Sequence, residues 1–159
     1  MVAHDASSRT RRRGLVLFLG LAAMAEAAVA GEFYEKDGVA LEGYDPVAYF
    51  VEGKPVQGSP AHRAEYKGSA FHFSSPANRD AFAANPEKYA PRYHGFCAFG
   101  TARGYKAAVD PEAFTVVDGK LYLNYDRDVR KQWSADIAGF VAKADANWPE
   151  VARQTKVFE

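Results

Sequence analysis

The chain has 159 residues, with 20 Lys and Arg against 20 Asp and Glu, and a single cysteine. The length suits one domain behind a leader. The charge balance offers no basic surface for nucleic acid, and one cysteine excludes an intramolecular disulfide scaffold. Eleven Phe, nine Tyr and two Trp supply core material without such a staple.

Residues 1–30 read as a leader and not as part of the fold. Arg11, Arg12 and Arg13 form a basic start, and GLVLFLGLAAMA follows as an apolar run. That run is short of the roughly 20 apolar residues that a membrane-spanning helix needs. Ala28-Val29-Ala30 then gives a small-x-small cleavage signal, which predicts a mature chain from Gly31. The expected location is periplasmic or otherwise exported, with no membrane span left after cleavage. The Arg12-Arg13 pair followed by Leu15-Val16 resembles a twin-arginine signal, and general secretory export weighs equally. Losing the leader takes four arginines and two acids, leaving 16 basic and 18 acidic residues and a net charge of −2.

Beyond the leader, residues 38–58 open with a short strand. Asp45-Pro46 then reads as a cap and first-turn proline for a short helix through Phe50. HRAEYKGSAFHFSS (62–75) alternates around Lys67-Gly68 and predicts a β-hairpin. On its second run Phe71 and Phe73 share one face, and Ala70, His72 and Ser74 share the other. Ser75-Pro76 starts a helix that Asn85-Pro86 ends, and a further turn spans Pro86 to Tyr89. Residues 91–104 show no period and read as an ordered loop punctuated by Gly95, Gly100 and Gly104. Asp110-Pro111-Glu112 reads as a cap-and-turn start with structural carboxylates. A second hairpin follows over 112–126, turning at Asp118-Gly119. Asp126 caps a last helix to about Asn147, with Val129, Trp133, Ile137, Phe140 and Val141 on one apolar stripe. The expected fold class is α+β, with two β-hairpins and three to four helices, the longest at the C-terminus.

EYKGSAFHFSSPANRDAFAANPEKY (65–89) and Asp45-Pro46-Val47 resemble the YHS domain. GFCAFG, DPEAFTVVDGKLYLNYD and KADANWP resemble its exported branch, the YHS domain-containing (seleno)proteins. The resemblance covers about residues 38–150 and is taken to give one YHS-like domain over 31–159. It implies heavy-metal handling, copper above all, through cysteines. Those cysteines are absent here: Ala48, Ser74 and Asn78 stand at their positions. What the resemblance keeps is Cys97, at a place where some members of the exported branch carry selenocysteine.

Cys97 sits three positions after His94 in YHGFCAFG. A thiolate is both a nucleophile and a soft metal ligand, and a nearby imidazole serves it as counter-charge or as second ligand. His72, on the hairpin strand, is the third candidate. The leading expectation is a non-enzymatic exported protein that binds a soft metal ion through Cys97, His94 and His72. Cu(I) fits that set best and zinc less well. The alternative is a thiol redox protein with Cys97 as nucleophile, although no resolving cysteine accompanies it. The second alternative is a structural or interaction module with an inert buried thiol. Tyr93, Arg103 and Tyr105 flank the thiol as loop residues.

Overall fold

The computed structural model describes residues 30–159, so the leader up to residue 29 lies outside the described residues. The fold is α+β. Among the described residues there are six α-helices and eight short strands, and every sheet is a two-stranded pair. Strands β1 (Glu35–Lys36) and β2 (Val39–Ala40) pair antiparallel. The first long hairpin joins β3 (Ser59–Tyr66) and β4 (Ser69–Phe73) through Lys67-Gly68, and the second joins β6 (Asp110–Val117) and β7 (Lys120–Asn124) through Asp118-Gly119. Both turns carry left-handed backbone at both central residues, as tight hairpins require.

Helix starts follow their caps. Asp45 Oδ1 accepts the backbone N–H groups of Val47 and Ala48 at the entrance to α1 (Ala48–Val51). Ser75 Oγ accepts the Asn78 N–H at the start of α2 (Pro76–Ala84), and Asp126 Oδ1 accepts the Val129 N–H at the start of α5 (Arg127–Ser134). The turn after Asn85 is the one-turn helix α3 (Pro86–Tyr89).

Three local expectations need correction. The 91–104 loop contains a helix, α4 (Ala98–Ala102), capped by Cys97. The single last helix is two, α5 and α6 (Ile137–Val151), because Asp136 leaves helical backbone and its side chain accepts the Gly139 N–H as the cap of a new helix. Asp110-Pro111-Glu112 lies inside strand β6 at a register shift, with Asp110 Oδ1 accepting the Glu112 N–H. Pro149 sits within α6 near its end, where few further helical bonds are at stake.

The core forms where these elements converge. Phe71 and Phe73 of β4 are fully buried against Phe82 of α2, with ring centroids 4.8 and 5.2 Å apart. Leu121 and Leu123 of β7 join them in one buried cluster that also holds Phe33, Phe96 and Cys97. A second cluster centres on Trp133, which packs on Tyr122 at 5.2 Å. Asn147 of α6 ties α4 down by donating to the Thr101 and Ala102 carbonyls at 3.2 and 3.1 Å. The last residues return as β8 (Val157–Phe158), parallel to β5 (Lys106–Ala107). Among the described residues no helix is long and apolar enough to cross a membrane.

Candidate functional site

Three positions bear on the site because the resemblance would place cysteines there. Ala48, Ser74 and Asn78 do converge, and their common point is the Asp45 carboxylate, which is 0% exposed. Its Oδ2 accepts the Ser74 N–H, the Ser74 hydroxyl and the Asn78 amide, each at 2.8 Å. Its Oδ1 takes the Val47 and Ala48 N–H groups at 2.8 and 3.3 Å. Five donors hold one buried carboxylate, so its lone pairs are used and its charge is dispersed. The sequence reading gave Asp45 only a cap role. The missed signal was that Ser74 and Asn78 each offer a side-chain hydrogen-bond donor in place of a sulfur.

Cys97 is 2% exposed. Its Sγ accepts the Gly100 N–H at 3.4 Å and donates to Asn124 Oδ1 at 3.6 Å. Burial pushes the thiol pKa up, and backbone N–H groups of Gly100, Tyr125 and Phe99 oppose that only in part. The fully buried Asn124 also accepts the Phe99 N–H at 3.0 Å, while its Nδ2 has no partner. The thiol forms the inner wall of an apolar pocket of about 370 Å³, with the partly exposed Tyr125 and Phe158 among its lining residues. Arg103 does not face the sulfur; its guanidinium lies 4.7 Å over the Phe99 ring. Asn124 was visible in the sequence only as an alternating strand residue, yet β7 is buried on both faces from Leu121 to Asn124.

His94 sits in a different setting. Tyr93, His94 and Gly95 are three consecutive left-handed residues, with φ of 55, 51 and 81°. Such backbone costs about 1–2 kcal/mol for each non-glycine residue. It turns Tyr93 one way, where the hydroxyl donates to Asp145 Oδ1 at 2.9 Å, and the imidazole the other. The His94 ring lies 4.8 Å from the Phe33 ring and 5.0 Å from the Trp148 indole, with Nε2 3.6 Å from Glu32 Oε2. Burial, then Lys67, lowers the His94 pKa, against the opposing pull of Glu32. The ring forms a wall shared by two clefts, of about 790 and 450 Å³.

His72 lies elsewhere again, in a shallow cleft with Glu42, Gly43 and Gln57. Burial, then Arg63, lowers its pKa. Cys97, His94 and His72 therefore line different clefts with none in common, and the three-ligand arrangement expected from the sequence is not assembled. Among the described residues no group of three or more His, Cys, Asp or Glu side chains is placed to hold a metal ion. The reason is local. His94 is directed by its left-handed turn toward Phe33 and Trp148, whereas Cys97 is directed inward as the cap of α4.

Residues 47–93 match the model of the YHS domain family. That segment, which runs from α1 to the left-handed turn, is thus similar to a YHS domain, a class associated with metal handling. It includes Ala48, Ser74, Asn78 and His72, and stops just short of His94 and Cys97. No curated protein and no solved structure matches the chain.

Proposed function

We propose that this protein is an exported, non-enzymatic binding module of YHS type, in which Cys97 is a structural thiol. The observation that carries this reading is the surroundings of the sulfur. It is 2% exposed, it caps α4, and its hydrogen-bond partners are Gly100 and Asn124 with no imidazole among them. A thiol whose pKa is raised by burial makes a poor nucleophile, which weighs against the redox alternative. Export rests on the leader residues, and assignment to the exported YHS branch rests on the sequence resemblance around Cys97. Residues 31–159 are taken as one YHS-like domain. Mass spectrometry of the mature N-terminus tests the leader, with Gly31 as the expected first residue.

Soft-metal binding, with copper first and zinc second, is kept as the second reading because the YHS match brings a metal-handling association. Native-state alkylation of wild type, with Cu(I) titration of wild type and Cys97→Ser, decides between the two. The first reading expects alkylation far slower than in the unfolded chain, and the same Cu(I) affinity for both proteins. A Cu(I) site lost in Cys97→Ser would overturn it in favour of copper binding. Rapid alkylation of the folded protein would favour the redox thiol.

A further inference from the structure

The smaller of the two clefts walled by His94 has a composition that the family match does not explain. Its walls include the rings of Phe33, Tyr66 and Trp148. Lys67, Arg92 and His94 line the same cleft together with the carboxylate of Glu87, and Glu32 and Asp145 stand beside those groups. Aromatic rings beside clustered cationic donors, whose acidic partners are exposed and weakly held, form a surface for a flat ring that carries negative charge.

The two cations are available. Lys67 Nζ is 3.9 Å from Glu32 Oε2, and Arg92 Nη2 is 3.5 Å from Asp145 Oδ1. Both are long pairs between exposed side chains, and such pairs contribute little. Asp145 is also engaged by the Tyr93 hydroxyl at 2.9 Å. Each cation also lies over a ring of its own neighbour, Lys67 at 5.6 Å from the Tyr66 centroid and Arg92 at 5.8 Å from that of Tyr93. These contacts keep the charged ends beside the aromatic walls rather than free in solvent.

We propose that this cleft binds a small aromatic carboxylate, its ring against Trp148 and Tyr66 and its carboxylate received by Lys67, Arg92 and His94. The left-handed turn at Tyr93-His94-Gly95 then has a use, since it holds the imidazole in the cleft wall. His94 faces Glu32, Lys67 and Lys106, with Arg92 and Glu87 in the same cleft. Lys106 is already engaged, its Nζ donating to the Ala152 and Gln154 carbonyls at 3.0 and 2.8 Å. In the free protein burial and Lys67 disfavour the imidazolium. An added carboxylate favours it, so binding takes up a proton and strengthens on acidification.

The inference rests on reading the chain as a binding module. The alkylation and copper titrations read the state of Cys97, and the experiment here reads the His94 cleft, so the two fail separately. The probes are naphthoate, acetate for the charge alone, and naphthylmethanol for the ring alone. Binding is followed by indole fluorescence and by calorimetry. Naphthoate is expected to bind saturably, and the other two at least about tenfold more weakly. Lys67→Gln with Arg92→Gln, both at exposed positions, should weaken naphthoate about tenfold or more and leave the alcohol unchanged. Wild-type affinity should rise from about pH 7.5 to about 5.5, with proton uptake that His94→Gln abolishes. Trp148→Phe should remove the fluorescence change while calorimetry still detects binding. Cys97→Ser should bind as wild type does. The proposal is overturned by non-saturable binding, by an alcohol that binds as well as the acid, by a double variant that matches wild type, or by an affinity flat across that pH range. Loss of binding in Cys97→Ser would also overturn it, by moving the ligand to the thiol pocket.

Discussion

Asp45 and Cys97 are both buried polar groups at the start of a helix, and they are treated in opposite ways. Asp45 is surrounded by five donors on three segments, around Val47, Ser74 and Asn78. Cys97 has one weak donor and one weak acceptor, and its partner Asn124 keeps an unpaired Nδ2. A charged group removed from water has to be fully hydrogen-bonded, because the desolvation penalty is several kcal/mol for an ion. A thiol is nearly apolar and tolerates sparse bonding. The contrast separates a knot that ties chain segments together from a polar spot that the fold merely accommodates.

The sharpest way to break that contrast is Asp45→Ala. It strands the Ser74 and Asn78 donors and the α1 N–H groups, and about 4 kcal/mol of stability should be lost in urea unfolding. Unchanged stability would show that water replaces the carboxylate and that the knot is not structural. Asn124→Leu makes the matching change at the other site. It removes an orphan donor, the weak bond from the thiol and the 3.0 Å bond from the Phe99 N–H, so the loss should stay at about 2 kcal/mol. A loss as large as that of Asp45→Ala would erase the distinction. The smallest effect is in acid. His94 and His72 both have folded pKa values below the ordinary histidine value. The unfolded chain then binds more protons, so their contribution is complete above the unfolded value and is lost as pH falls through the folded values. Thermal melts should shift downward below about pH 6.5, and His94→Gln should flatten part of that slope.

What the sequence made legible follows the same division between local and distant causes. Both hairpins, with their Lys67-Gly68 and Asp118-Gly119 turns, and the Ser75 and Asp126 caps are local chemistry and were readable. Helix α4 was not, because its cap is a cysteine and glycine sits within it. The break between α5 and α6 was hidden by an apolar stripe that runs through it, with Asp136 as the only local sign. At the candidate site, Cys97 and His94 stand three residues apart in sequence. Their side chains diverge because two non-glycine residues adopt left-handed backbone, and residue types do not announce that. The convergence on Asp45 likewise depends on contacts across 29 and 33 residues.

The return of the last strand gives the thiol a second meaning. Phe158 of β8 lines the pocket beside Cys97, and β8 is held by two paired residues on β5 and by the Ala108 N–H bond to the Phe158 carbonyl. A segment with so few bonds opens far more often than the core. Cys97 is then a built-in clock for that opening. Its labelling rate, compared with the rate of a free thiol, gives the free energy of detaching the tail without unfolding the rest. No reporter cysteine need be introduced, since the chain carries one and it is already in place.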